Sequence, residues 1–330
     1  MAFLDTMTKQ RDQRIDVLKG IGIICVVWAH LRGYFSMEIY IFHMPLFFFL
    51  SGMFYRRKSG FVVSRIKSLL VPVLFYLGLF ALIYWIDGGR LVNRIDRTSF
   101  FKPTEIDGPL WFLISLFTIA VVYWGLDGWL KSKARLALVC SVIGGVFYYW
   151  DVALPLCLRQ SAIALPFYAW GAWMREKGWT NANYNWKLLV GHGVVFMGVV
   201  AYCVVNNFRF DISSLYLPDN CLLLYGGALA AILLLLNVRT FSKTNKMNAL
   251  LASYGRHSLS IMALHMPYMF EIRNAVYRWH LFADKTTNTV MTFFITFFII
   301  IISSYLMALA IGWMKRRGDE YFSNLSIKKG

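Results

Sequence analysis

Ten long apolar runs constrain this chain more than any other feature. They lie at about 17–36, 39–55, 69–86, 109–129, 134–150, 154–174, 187–206, 220–238, 249–272 and 288–314. Runs of roughly 17–25 apolar residues match the thickness of a bilayer, and in hydrocarbon each must satisfy its own backbone hydrogen bonds, as an α-helix does. The expected fold class is therefore all-α: a polytopic membrane helix bundle with about ten transmembrane helices, forming one domain over residues 1–330. The chain is 58% hydrophobic and only 15% charged, which a soluble domain of this length would not need. The second and fifth runs are near the lower length limit, and the ninth opens on a polar turn, SYGRH.

The net charge of +17 would suggest a nucleic-acid partner in a soluble protein. Here the cations sit between apolar runs, so membrane lipids are the expected partner and nucleic acid is not. Clusters such as Arg56-Arg57-Lys58, Lys131 with Lys133 and Arg135, and Lys315-Arg316-Arg317 alternate with poorer segments. By the positive-inside rule this places both termini in the cytosol and makes the number of spans even. The first run is long enough to span, so no separate cleavable signal peptide is expected. The largest connection is the outer loop 87–108. The five cysteines show no CxxC spacing, so neither a metal site nor a disulfide framework is expected. The absence of two similar halves counts against an inverted-repeat transporter.

A few polar residues fall inside the runs, where ionisable groups are costly and point to function. His30 lies in VVWAHLRGYF, near the end of the first run. It is either a polar contact between helices or an acid–base group, since imidazole suits proton transfer near neutral pH. Lys19 precedes it by eleven positions. Eleven helical steps turn the chain by about three turns plus roughly 20°, so the two share a face, about 16 Å apart along the axis. Lys19 can thus hold charge at the cytosolic rim while His30 works deeper, a separation that suits an elongated anionic donor. Alone, Lys19 would read as a snorkelling anchor.

His43, in IFHMPLFFFLSG, stands about as far from the polar turn as His30 does, so antiparallel helices would bring both to similar depth. Pro45 removes a helical hydrogen bond beside it, leaving a structural role for His43 open next to a catalytic one. His265 again stands two residues before a proline, as a bundle contact or an acceptor-binding group. Arg159 could snorkel outward, bind acceptor or pair with an acid. Trp111 opens the fourth run after an Asp-Gly-Pro turn, where tryptophan is commonly an interfacial anchor. No G-x-S-x-G, P-loop, H-E-x-x-H or dinucleotide-binding glycine pattern occurs, which excludes the common soluble hydrolase, NTPase and metalloprotease readings.

Taken together, RIDVLKGIGIICVVWAH, FHMPLFFFLSGMFYRRK, RIKSLLVP, GPLWFLISLF, ALPFYAWGAW and HSLSIMALHMPY resemble the acyltransferase-3 superfamily of integral membrane acyltransferases, most of all its fucose 4-O-acetylase-related branch. The resemblance implies about ten membrane helices in the cell inner membrane and transfer of an acyl group, usually acetyl from acetyl-CoA, to a hydroxyl of a cell-envelope or secreted glycan. Its first helix carries a basic residue, ten intervening positions and an essential histidine, matched by Lys19 and His30. An Arg-x-x-Arg pair often opens its third helix; here Arg65 matches the first position, Ser68 occupies the second, and Lys67 lies beside it. On this resemblance His30 is the catalytic residue, a general base or acyl acceptor, and Lys19 and Arg65, with Lys67 beside it, bind the donor acetyl-CoA. From their positions in the apolar runs rather than from the resemblance, His43 is expected as a second catalytic residue, and Arg159, Trp111 and His265 as contacts to a sugar or lipid-linked glycan acceptor. Two alternatives remain: a glycan or lipid transporter, and the same scaffold using another donor such as succinyl-CoA.

Overall fold

The computed structural model describes residues 13–87, 108–178, 185–237, 246–266, 269–278 and 285–327. The tail 1–12, residues 328–330 and most of the outer loop 87–108 lie outside them, and with them the predicted placement of both termini. The described residues form helices: α1 (Gln13–His30), α2 (Ser36–Met53), α3 (Phe61–Arg65), a π-helical turn (Ile66–Leu70), α4 (Val71–Asp87), a 3-10 turn (Gly108–Leu110), α5 (Trp111–Leu130), α6 (Lys133–Tyr149), α7 (Leu158–Glu176), α8 (Trp186–Val205), α9 (Cys221–Asn237), α10 (Lys246–Arg256), α11 (Ser258–Leu264), α12 (Met269–Arg278) and α13 (Lys285–Ile327). Among these residues no strand forms, only an isolated antiparallel bridge between Asp211 and Tyr216.

Among the described residues, five helices are long and apolar enough to cross a membrane: Ser36–Met53, Phe61–Leu79, Trp111–Leu130, Trp186–Val205 and Thr289–Met314. Cys221–Asn237 is apolar but shorter. Large apolar side chains such as Leu74, Trp85, Val194, Val205, Leu222, Phe298 and Leu306 stand on the outside of the bundle. Water would penalise that much exposed apolar surface, whereas acyl chains would cover it.

Several runs differ from the sequence expectation in ways that shape the site. The first run does not continue as helix to residue 36: α1 stops at His30, and residues 31–35 form a tight turn with Arg32 and Phe35 at positive φ. The third helix starts earlier, at Phe61, and passes through the π turn. The ninth run is not one helix. It is divided into α10, α11 and α12, with His257 between the first two and His265 capping the second. Pro267, which follows, has no N–H to carry a helix onward. By contrast α2 runs unbroken through Pro45.

Helix α2 is the centre of the bundle, packed by α1, α7, α8 and α9. Ile41, Leu46, Phe48, Phe49 and Leu50 are fully buried. Two helix pairs approach closely enough that only glycine fits. At the α1–α10 crossing, a methyl group on Gly20 would overlap the Leu251 carbonyl, and one on Gly255 would overlap that of Asp16. At the α2–α7 crossing, Gly52 meets the Tyr168 carbonyl and Gly171 meets that of Phe49. Within a membrane, where apolar burial gives helices little reason to associate, such small-residue contacts are a main source of packing energy.

Candidate active site

The α1–α2 hairpin positions the site. Lys19 packs its ammonium over the Phe54 ring at 4.9 Å, at the end of α2 away from the turn. His30 meets Tyr40 and His43 at the turn end, with ring centroids 6.1 and 6.2 Å away. The two helices are thus antiparallel, His30 and His43 lie at the same depth, and their rings face each other edge-on.

The third histidine comes from the broken ninth run. Because α11 ends at Leu264, His265 caps it and reaches α1, with Nε2 3.3 Å from His30 Nδ1. Each of the three rings places Nδ1 near the carbonyl four residues earlier: Val26 at 2.8 Å for His30, Ile39 at 2.9 Å for His43 and Ile261 at 3.2 Å for His265. A carbonyl can only accept, so in each neutral ring Nδ1 carries the proton and Nε2 the lone pair. His265 Nε2 is then an acceptor, and the His30 Nδ1–H is shared between Val26 O and His265. His30 Nε2 is left with its lone pair, and no hydrogen bond to it is found among the described residues.

His30 and His43 line a small cavity of about 20 Å³, room for about one water. Trp111 forms part of its wall, held there by packing on Phe48. The loop between α8 and α9 closes the cavity with Asp211 and Ser213. That loop is stiffened locally. Asp211 Oδ1 accepts from the Ser213 amide at 3.0 Å and hydroxyl at 2.6 Å, and Gln160 donates to the Ser213 carbonyl at 3.3 Å. Arg209 lies 3.6 Å from Asp211 and stacks over Tyr40 at 4.5 Å, while Tyr40 packs against His43 at 4.8 Å. The arrangement sets a lone-pair nitrogen beside a carboxylate and a hydroxyl, which suits proton removal from, or attack by, a polar substrate group.

Of the residues singled out in the sequence, the structure brings His30, His43, His265 and Trp111 together. Arg159 goes elsewhere. It donates to Asp151, to Phe147 O at 3.2 Å and to Tyr148 O at 3.4 Å, so it fastens the end of α6 to α7 and does not line the histidine cavity. Lys19, Arg65 and Lys67 belong to the opposite end of the hairpin. Arg65 stacks on Phe61 at 5.0 Å, Phe61 packs on Tyr55 at 5.4 Å, and Lys67 is exposed on the π turn. The sequence reading missed a polar cluster at that end. Asp127 accepts from Tyr55 at 2.7 Å and Lys133 at 2.5 Å, and Arg57 donates to Trp124 O at 2.8 Å. It also missed Tyr40, Asp211 and Ser213; the one signal for the last two is an Arg-x-Asp-x-Ser-Ser string in a short connection between apolar runs.

A helical bundle with lipid-suited outer faces and a buried histidine cluster at one end of its first hairpin has the character of a membrane enzyme. The family comparison is specific: the acyltransferase-domain family matches residues 12–309, and the chain belongs to that acyltransferase-3 family. Among curated proteins it is similar to the nodulation protein NolL of Mesorhizobium japonicum (strain LMG 29417 / CECT 9101 / MAFF 303099), 26% identical over 262 residues. That similarity covers 68% of this chain and 66% of the relative, so the chain spans just under two thirds of the relative's length. No solved structure matches.

Proposed function

We propose that this acyltransferase is a multi-pass inner-membrane O-acetyltransferase of about ten spans, both termini cytosolic, moving acetyl from cytosolic acetyl-CoA to a hydroxyl of a cell-envelope or exopolysaccharide sugar. The observation that carries the reading is His30: its Nδ1–H is anchored by Val26 O and His265, and its Nε2 lone pair lies in a site walled by His43, Trp111 and Asp211. Lys19 and Arg65 mark the donor end, where fixed cations suit the phosphates of a CoA, and exposed Lys67 adds charge there. The thioester arm then runs along α1 toward His30.

At His30 the chemistry balances simply. The acceptor O–H loses its proton to Nε2 as its oxygen attacks the thioester carbonyl. The C–O bond forms, the C–S bond breaks, and the proton leaves with the CoA thiolate. Alternatively Nε2 attacks the thioester carbonyl first and the C–S bond breaks with loss of CoA thiolate. The acceptor oxygen then attacks the acetyl-imidazole, the C–N bond breaks, and the acceptor's proton ends on the thiolate. Purified protein given acetyl-CoA labelled in the acetyl group should release CoA thiol in step with label appearing on a polysaccharide acceptor. Movement of glycan without thiol release would overturn the proposal in favour of transport.

Two substitutions test the assigned roles. Lys19→Ala should raise the donor KM by about tenfold with kcat little changed, since one charge-assisted contact at a half-exposed site is worth roughly 1.4 kcal/mol. An unchanged KM would remove Lys19 from the donor site. His265→Ala should lower kcat by about 10- to 100-fold, because His30 keeps the Val26 contact and loses only the second restraint on its ring. His265→Gln, which can still accept from Nδ1–H, should recover part of that loss; a glutamine variant no better than alanine would deny His265 the positioning role.

A further inference from the structure

Attack on a thioester leaves a negative oxygen that neither the Nε2 lone pairs nor the Asp211 carboxylate can hold. Whether the attacking atom is the acceptor oxygen or His30 Nε2, the carbonyl π pair moves onto the acyl oxygen and stays there until the C–S bond breaks. In a cavity with room for about one water, solvent cannot gather around that charge, so fixed hydrogen-bond donors must. The wall of the His30 cavity limits which groups these are. His30 and His43 direct Nδ1–H at backbone carbonyls. An ionised Asp211 only accepts, and Ser213 gives its hydroxyl hydrogen to Asp211 Oδ1 at 2.6 Å. Of the remaining side chains, Tyr40 and Trp111 carry donors and the others are apolar.

Both donors are free, and both rings are held. Neither the Tyr40 O–H nor the Trp111 N–H has a hydrogen-bond partner among the described residues; their contacts are ring to ring and ring to cation. Trp111 is only 5% exposed, a depth at which an indole N–H usually finds a partner. It is the first residue of α5 and packs on Phe48 at 6.2 Å and Phe112 at 6.4 Å. At that end of the helix the dipole also favours negative charge. Tyr40 lies about one turn before His43 on α2. Arg209 covers its face at 4.5 Å, His43 meets it at 4.8 Å, and its centroid is 6.1 Å from that of His30. Asp211 would oppose an oxyanion in the same space, but Arg209 at 3.6 Å offsets its charge, and three groups of its own loop donate to Oδ1.

We infer that Tyr40 and Trp111 form the oxyanion hole of this acyltransferase. The phenol O–H and indole N–H donate to the acyl oxygen as the new C–O or C–N bond forms. When the C–S bond breaks, the electron pair returns to the carbonyl and CoA leaves as the thiolate. The inference deepens the proposed function by adding two catalytic residues, and it rests on that reading for the thioester beside His30. Trp111 then serves the donor's carbonyl and not the acceptor sugar.

Isotope-edited infrared spectroscopy tests it. The sample is the detergent-purified full chain carrying His30→Ala, which stops transfer, with acetyl-CoA labelled by carbon-13 at the carbonyl. The bound carbonyl band should lie below that of free acetyl-CoA, because donated hydrogen bonds weaken C=O. Tyr40→Phe and Trp111→Phe should each move the band part of the way back, and the double variant nearly all the way. With His30 restored, each single variant should lower kcat by about 10²-fold in the labelled-acetyl assay, with the donor KM within about threefold. Placing β-(3-benzothienyl)alanine at position 111 keeps the ring shape and deletes only the N–H, so it should act as Trp111→Phe does even if phenylalanine loosens the packing. A bound band at the free position, a shift that survives the double variant, or a single-variant kcat within about threefold of the natural enzyme overturns the inference and leaves the proposed function standing. A protein that shows no bound acetyl-CoA sinks the donor assignment of the proposed function, and this inference with it.

Discussion

Replacing His30 by alanine is expected to abolish acyl transfer, by about 10³-fold or more, while leaving the bundle folded. The ring stands on the last residue of α1, half-buried, and its loss removes one backbone contact and one shared hydrogen bond without opening the core between α1 and α10. Stability should fall by about 1–2 kcal/mol at most, the range for a lost hydrogen bond with a partly open site. The informative comparison is His30→Asn. An asparagine amide reaches the position of Nδ1 and can still donate to Val26 O, yet it has nothing at Nε2. If the lone pair at Nε2 is the working group, asparagine should be as inactive as alanine, measured as label transferred per minute on protein of unchanged circular dichroism. An asparagine variant within about tenfold of the natural enzyme would mean that His30 holds structure and that the proton goes elsewhere, with His43 the next candidate.

The helical class was legible because periodicity hardly matters for a buried or lipid-facing helix: length and apolarity suffice. The pairing of His30 with His43 was half legible. Counting from the polar turn places both at one depth, but the direction of each ring depends on where α1 stops, and the turn at 31–35 is set by Arg32 and Phe35 at positive φ and by Trp28 donating to Tyr34 O, which no local pattern announces. His265 reaches the site because a run that reads as one span is three helices. Pro267 hints at the second break, whereas His257 gives no such sign. Arg159 leaves three readings open in the sequence, snorkelling, acceptor binding and pairing with an acid, and here Asp151 and two carbonyls at the end of α6 engage it. Asp211 and Ser213 were invisible for a plainer reason: they lie on a connection whose path over the bundle is decided by buried Phe210 and by α7, far away in sequence.

The second large effect is expected at the α2–α7 crossing. Gly52→Val or Gly171→Val should destabilise the protein by about 3 kcal/mol or more, seen as a lower melting temperature in detergent and loss of the monodisperse peak on size-exclusion chromatography. At both positions the obstruction is a backbone carbonyl, of Tyr168 for Gly52 and of Phe49 for Gly171, so no rotamer change can make room. The helices must separate, and separation strips contacts from the buried stretch Phe48–Leu50. The same substitution type elsewhere should do the reverse. Gly125 and Gly145 are helical with nothing within 4 Å of an added Cβ, so Gly125→Ala and Gly145→Ala should be neutral or stabilising by up to about 1 kcal/mol. The contrast has a functional side. Helix α2 carries Tyr40 and His43 at one end and Phe54, the ring under Lys19, just beyond the other, so one helix sets both ends of the proposed donor path. Activity in the Gly52 and Gly171 variants should therefore fall together with melting temperature. A Gly52→Val protein that melts normally but is inactive would mean that α2 can shift without loosening the bundle, and that the close crossing serves alignment of the site more than stability.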